Sequence, residues 1–340
     1  HEAMGEALET LYGESVAEVA LPLARHFEEA GLMDQATDYL LQAGQRAARL
    51  TAYEEAVTHF RRGLGLLGSL PEGPERAGKE LSYRVGLGNS LGATKGAWHG
   101  FTDSEVRHTF ARAEELGRQT GDVPLLYPEA WGLWLHDAIS LGLFEDSDLT
   151  NELLCLAQST ENPLLSLLGH FAMARYLLLR GELLQALEHF DQAFSHYDPE
   201  QHAFLVQNCG WDRGIGCLLF GAVILRQLGY PDQAMQRFRE ALALARGLSD
   251  PYTLAIALTG GVAHRLLGET EAIREMAEEA IAFCAKHGHP YGLGHGTLFR
   301  CCDLVEEGQV EDGLAQWRAH EAAHGPIRLN AGRLCALSLA

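Results

Sequence analysis

The sequence predicts an all-α fold, a right-handed solenoid of antiparallel helix hairpins that forms one continuous domain over residues 1–340. A glycine-centred segment occurs five times, at 31–36, 181–186, 229–234, 268–272 and 308–313. The last four segments begin 48, 39 and 40 residues apart, a period typical of stacked helical hairpins. In addition, no segment alternates apolar and polar residues long enough to propose a sheet.

The segment at 229–234 shows how one hairpin is built. Gly229 ends the first helix, because glycine readily adopts the left-handed conformation that closes a helix, and Pro231 suits the first turn of the second. A small, a bulky and a small residue then follow at helical steps, which lets the two helices approach closely. These triplets are Ala36, Leu40 and Ala43; Ala186, Phe190 and Ala193; and Ala234, Phe238 and Ala241, with Gly313, Trp317 and His320 in their place in the last repeat. A first-helix alanine, at Ala24, Ala174 and Ala222, precedes the first three triplets by twelve positions.

Proline after a capping residue marks further helix starts, at Asn162-Pro163, Asp250-Pro251, His289-Pro290 and Gly325-Pro326. The predicted helices are 2–12, 14–30, 33–49, 52–69, 74–94, 102–120, 123–141, 144–160, 163–180, 182–197, 211–228, 231–248, 251–267, 269–287, 290–307, 310–324 and 326–339. They group into repeats at about 14–49, 52–94, 102–120, 123–160, 163–197, 211–248, 251–287 and 290–324. The connections 95–101 and 198–210 are longer than hairpin packing requires, and long connections in a repeat protein often form a working surface.

Composition excludes several classes of function. The net charge of −20 disfavours contact with a nucleic-acid backbone, which needs clustered Lys and Arg. No apolar run reaches the roughly 18 residues of a membrane span, and the first residues lack the basic and apolar regions of a secretory signal. Seven irregularly spaced cysteines favour reduced thiols. We therefore predict a cytoplasmic protein that binds neither membrane nor nucleic acid directly.

A nucleotide site is not predicted. Residues 73–79 (GPERAGK) match the spacing of a phosphate-binding loop, but Glu80 stands where Ser or Thr would hold magnesium. No strand precedes the segment, and Pro74 opens an ordinary helix. We predict no cofactor.

A metal site is also not predicted. Cys284, His287, His289 and His295 lie within twelve residues, but the closed spacing of zinc motifs is missing. We interpret the segment as a solvated turn between two helices.

Catalytic residues are not predicted either. The sequence contains neither a Gly-x-Ser-x-Gly elbow nor a His-Glu-x-x-His helix, and no set of nucleophile, base and orienting residue can be named. We predict no enzymatic activity.

Two groups of residues are candidates for ligand binding in a concave groove. Tyr127, Trp131 and Trp134 share one helix face, with Trp98 and Lys95 in the preceding connection. Core packing between neighbouring hairpins is one interpretation of the set and is favoured for Trp131. The alternative is that Trp98, Tyr127 and Trp134 line a groove where flat rings hold a ligand. Lys95 either caps a helix end or meets the ligand.

The second group joins Trp211, Asp212 and Arg213 to His202 and Asn208 in the 198–210 connection. An arginine beside a helix start, near amides, can clamp a carboxylate or another anion. The alternative is that Asp212 forms an ion pair, either with Arg213 or with a neighbouring hairpin, and that this ion pair orders the connection.

The chain resembles a known family. The motifs are 24–31 (ARHFEEAG), 43–47 (AGQRA), 53–56 (YEEA), 59–63 (HFRRG), 93–96 (ATKG), 131–134 (WGLW), 197–199 (YDP) with His202, and 228–234 (LGYPDQA). They resemble the tetratricopeptide region that follows the ATPase module of large bacterial signal-transduction regulators, some fused to nucleotide-cyclase or kinase modules. The maltose-regulon activator is a more distant relative in layout.

The resemblance implies a role as well as a fold. It implies a non-catalytic sensor arm that binds a small molecule or a peptide and regulates an upstream ATPase module of the same polypeptide, before His1. The alternative is a scaffold that recruits a protein partner or self-assembles, and the two differ in whether an enclosed pocket or an exposed apolar strip carries the binding.

Overall fold

The computed structural model describes residues 1–94, 103–120, 151, 154–155, 157–159, 162–209, 211–248, 250–263, 270–287 and 289–324. Every regular element in these ranges is a helix, which confirms the all-α prediction. None of the helices in this part of the chain is both long and apolar enough to cross a membrane. The predicted helices 123–141, 144–160 and 326–339 fall wholly or mostly outside the described residues.

The chain forms two compact units, residues 1–145 with 204–210 and residues 146–203 with 211–340. In the first unit each helix from α2 onward packs against the next along the chain. Its described helices are α1 (Glu2–Tyr12), α2 (Ala20–Glu29), α3 (Met33–Arg49), α4 (Tyr53–Leu67), α5 (Pro74–Thr94) and α6 (Ser104–Thr120).

One boundary in the first unit differs from the prediction. A single helix was expected over 14–30, but the chain forms a 3-10 helix over Gly13–Val19 before α2 begins at Ala20. Proline is tolerated only in the first turn of an α-helix, so Pro22 fixes the start of α2 close before it.

The second unit repeats the same arrangement. Its helices are α7 (Pro163–Arg180), α8 (Leu183–Ser195), α9 (His202–Cys209, which belongs to this unit only as far as residue 203), α10 (Arg213–Gln227), α11 (Pro231–Gly247), α12 (Pro251–Ala263), α13 (Thr270–His287), α14 (Pro290–Glu306) and α15 (Val310–His324). Apart from α9, each helix packs on the next. Packing of neighbouring helices is therefore present in both units, while the solenoid arrangement and its right-handed superhelix stay predictions.

The predicted glycine caps are confirmed at the four positions that the structure describes. Gly31, Gly181, Gly229 and Gly308 have φ angles of 78°, 79°, 88° and 83°. In each case the residue after the glycine donates its N–H to the carbonyl five residues back, at 2.8–2.9 Å. This pattern satisfies carbonyls that would otherwise lack a partner at the helix end. Gly268 lies outside the described residues.

The predicted small–bulky–small triplets form the core between paired helices. All nine residues of the first three triplets are buried, and so are Ala24, Ala174 and Ala222 on the first helices. In the last repeat Gly313 and His320 are buried and Trp317 is half-buried.

A second packing device places an aromatic ring directly on a glycine of a neighbouring element. Phe60 on α4 lies so close to Gly44 on α3 and Gly86 on α5 that an added Cβ would approach the ring to 2.5 and 2.6 Å. Glycine is needed at such positions because any larger residue would push the elements apart. Further pairs are Phe27 on Gly5, Tyr83 on Gly63, Phe110 on Gly88, Tyr197 on Gly214, and Trp211 with Phe171 on Gly216.

The 198–210 connection was expected to be a loop, and this was wrong. It contains a 3-10 helix, Pro199–Gln201, followed by α9. Asp198 caps the first turn by accepting the backbone N–H of Glu200 at 3.0 Å. Aspartate followed by proline is the same start signal that opens α12, which explains why helix forms here. The connection 95–101 lies outside the described residues.

Candidate functional site

The structure brings four of the predicted ligand-binding residues into one cluster in the second unit: His202, Trp211, Asp212 and Arg213. Asn208 lies on α9. Lys95, Trp98, Tyr127 and Trp134 lie outside the described residues, and their role as groove residues stays a prediction.

Asp212 determines where α10 begins. It is the N-cap residue, and its Oδ1 accepts the backbone N–H of Ile215 at 3.1 Å. The cap leaves one carboxylate oxygen for other partners. Gly214 and Gly216 follow in the first turn, and their lack of side chains lets the rings of Tyr197 and Trp211 lie against the helix.

The second oxygen of Asp212 ties the connection to α10. Oδ2 accepts the hydroxyl of Tyr197 at 2.9 Å and Nδ1–H of His202 at 2.7 Å. Asp212 is fully buried, and three donors together offset the cost of removing a carboxylate from water. Burial raises the pKa of Tyr197 well above its usual range, and the negative charge of Asp212 adds to this effect. Asp212 therefore orders the connection, through Tyr197 and His202.

Arg213 lies inside the packing of the second unit. It is 1% exposed, and its guanidinium carbon lies 4.7 Å from the ring centroid of Trp211 and 5.4 Å from that of Phe171. A second buried arginine, Arg175, lies 4.0 Å from the ring centroid of Phe220. Each desolvated cation over a ring face contributes about 2 kcal/mol.

Four aromatic rings complete this layer: Phe171, Phe190, Trp211 and Phe220. Their contacting pairs have ring centroids 5.6–6.4 Å apart, most of them edge to face. We call these rings with Arg175 and Arg213 the arginine–aromatic layer. It holds α7, α8 and α10 together.

Sequence reasoning missed Tyr197, Arg175 and the phenylalanines of this layer as partners of the predicted residues. A signal was present for two of them. Phe171 and Arg175 are four residues apart on α7 and so share a helix face. Their contact with Arg213 and Phe220 depends on the pairing of helices distant in sequence.

The histidine–aspartate contact does not form part of a catalytic triad with Cys217, the nearby thiol. Burial, and secondly the charge of Asp212, raises the pKa of Cys217 well above its usual value. A nucleophilic cysteine needs the opposite shift, since the thiolate is the reactive form. Cys217 therefore serves as a core residue.

The segment around His289 was interpreted as a solvated turn, and this was wrong. His289 is 2% exposed, and Cys284 is completely buried. The Nδ1 atom of His289 accepts the N–H of Gly292 at 2.9 Å, so the imidazole caps α14 as an aspartate would. Burial raises the pKa of Cys284 to about 12. Among the described residues no group of three or more His, Cys, Asp or Glu is arranged to hold a metal ion.

The phosphate-loop lookalike has a structural role in the first unit. Its Lys79 lies on α5 and forms ion pairs with Asp34 and Asp38 of α3, each at 2.7 Å. The ammonium therefore already has two carboxylate partners. These pairs join the two helices that flank α4.

No protein-family model matches the chain, and no curated protein matches it. The resemblance to tetratricopeptide regulators therefore depends on the sequence motifs. The family assignment stays a prediction.

Proposed function

We propose that the chain is a non-catalytic helical-repeat arm that binds a small molecule or a peptide and regulates an attached cytoplasmic ATPase or signalling module. The observation that carries this proposal is the recurrence of glycine-capped hairpins with buried small–bulky–small triplets in both units. In such an array each hairpin is stabilised by its neighbours, and the succession of helices offers an extended surface for binding.

The polar residues of the described cluster support the non-catalytic part of the proposal. The carboxylate of Asp212 is occupied by three donors, and the buried Cys217 thiol is held in its protonated form. These groups stabilise the fold instead of presenting a reactive atom to a substrate.

A protein–protein scaffold is the second candidate, and a specific observation favours it. Leu184, Tyr230 and Val310 are exposed, and each lies one to three residues after a capping glycine in the second unit. Apolar side chains at equivalent turns of successive hairpins are a suitable contact surface for a partner.

The test uses the full-length polypeptide, with and without residues 162–324. We expect an ATPase module before His1 whose hydrolysis rate changes when the repeats are removed, by about fivefold or more for a coupling of roughly 1 kcal/mol. We also expect that a thermal-shift screen of cytosolic metabolites and short peptides yields a ligand that changes the same rate.

Three results would contradict parts of this proposal. An unchanged rate after deletion of the repeats would exclude regulation. Turnover of a substrate by the isolated chain would exclude a non-catalytic arm. The scaffold would be favoured by two results together. The ATP hydrolysis rate would not respond to any ligand, and the chain would associate with itself or a protein partner in a way that Tyr230→Ser abolishes.

A further inference from the structure

Two histidines on paired helices of the second unit bring the same ring nitrogen close together. His170 lies on α7 and His189 on α8, and their Nδ1 atoms are 2.9 Å apart. The ring planes are inclined by 35°, and both residues are half-buried. Their neighbours in sequence, Phe171 and Phe190, are fully buried and anchor the two backbones.

This separation matches the spacing of two ligands on one metal ion. Imidazole nitrogens bind divalent metals at about 2.0–2.1 Å, so two of them at a right angle are about 2.9 Å apart, as on the edge of a square-planar or octahedral site. A tetrahedral site requires about 3.3 Å by the same geometry. We propose that His170 and His189 form a bidentate site for a divalent transition metal, with Cu²⁺ preferred over Ni²⁺ and Zn²⁺ and with water in the remaining positions.

A neighbouring negative charge suits a bound cation. Glu188 precedes His189 on α8, and its carboxylate acts on the His189 ring. Each imidazole binds a metal through the lone pair of Nδ1 when the ring proton is on Nε2.

Without metal, the same two nitrogens share an N–H···N hydrogen bond, which accounts for their distance. The ring of His196 lies nearly parallel to that of His170, with centroids 6.4 Å apart, and does not converge on the pair. The site therefore supplies two protein ligands. Because these come from the two helices of one hairpin, a bound metal would clamp α7 to α8 and stabilise the folded state.

The experiment must separate this pair from a similar one in the first unit, where Nδ1 of His1 and Nδ1 of His26 are 3.0 Å apart. The tag-free chain is therefore studied in a His26→Gln background. Thermal unfolding is measured with and without CuCl₂, NiCl₂ or ZnCl₂, and the same is done after adding His170→Gln, His189→Gln or, as a control, His108→Gln. His108 is exposed, lies in the first unit and belongs to neither pair.

We expect Cu²⁺ to raise the Tm of the His26→Gln protein and its His108→Gln control by the same few degrees, about 2–4 °C per kcal/mol of binding energy. The shift should be largest for Cu²⁺ and disappear in either pair variant. The Cu²⁺ electron paramagnetic resonance spectrum of the His26→Gln protein should show two bound imidazole nitrogens. This measurement keeps both His170 and His189, so it does not depend on the folding of a variant that lacks one of them. An equal shift in all variants, or a spectrum without two bound nitrogens, would overturn the proposal and leave only the hydrogen bond.

Discussion

Gly44→Ala is expected to destabilise the first unit, although alanine is the better helix former. In the interior of a helix this exchange alone stabilises by about 0.5–1 kcal/mol. At position 44, however, the new Cβ would lie 2.5 and 2.7 Å from Cε1 and Cδ1 of Phe60, about 1 Å inside normal contact. The ring also lies against Gly86, where a Cβ would come within 2.6 Å, so it has little room to move.

Overpacking of this kind costs about 1–3 kcal/mol. The net effect of Gly44→Ala is thus a loss of up to about 2.5 kcal/mol. The matched control is Gly65→Ala on α4, where an added Cβ meets nothing within 4 Å. This control should stabilise the unit by about 0.5–1 kcal/mol. The same chemical change is therefore expected to have opposite signs at the two positions.

The assay is native-state hydrogen exchange of amides in α3, α4 and α5, which reports the opening free energy of this unit without requiring the whole chain to unfold in one step. A Phe60→Leu background completes a double-mutant cycle. Leucine removes the ring edge, so Gly44→Ala should become neutral or stabilising there, with a coupling energy of about 1–3 kcal/mol. If Gly44→Ala stabilises as much as Gly65→Ala, or if the cycle shows no coupling, the packing argument fails.

Three further predictions concern a helix cap, an ion pair and a thiol. Gly181→Ala should destabilise the fold by about 1–2 kcal/mol, because the φ angle of 79° is unfavourable for a residue with a Cβ atom. An added Cβ meets nothing within 4 Å, so the whole cost comes from the backbone conformation. An unchanged thermal midpoint would refute this. Glu80→Gln should destabilise the fold at pH 7. Burial would raise the pKa of Glu80, but the charges and hydrogen bonds of Arg112 and Arg84 outweigh burial and lower this pKa below 4.5. A carboxylate whose pKa is lower in the folded than in the unfolded state stabilises the fold above the unfolded-state pKa, and this stabilisation is lost as the pH falls through the folded-state pKa. The urea midpoints of wild type and variant should therefore converge below about pH 4.5. Iodoacetamide should label exposed Cys155 in the native chain but reach Cys284, with its pKa of about 12, only after denaturation; equal labelling rates by mass spectrometry would contradict the burial of that thiol.

Local sequence signals predicted the hairpins well, because the signals and the contacts lie on the same short segments. The cap at Gly229 depends on its own φ angle, and the triplet of Ala234, Phe238 and Ala241 occupies one helix face. Even the error at 198–210 was local, since Asp198 before proline is a helix start that was taken for part of a loop.

The candidate site was less predictable because its contacts join distant elements. Asp212 was chosen as a candidate ligand-binding residue, and its hydrogen-bond partners Tyr197 and His202 lie 15 and 10 residues away and meet it only through the turn of the chain. Arg213 was expected to clamp an anion beside a helix start or to pair with Asp212, and the structure places it in the interior, 1% exposed. Its burial depends partly on the ring of Phe171 on α7, and no local pattern specifies that pairing.

The rings seated on glycines have a consequence for how such a chain can diverge. Each ring and its glycine belong to different elements, as Phe60 does with Gly44 and Gly86. Duplicating or exchanging a single hairpin would bring a bulky ring against a neighbour that has no matching glycine. We expect heritable rearrangements of this array to keep each ring together with its glycine. The exchanged segment would then span the boundary between two adjacent helices and would not coincide with one hairpin.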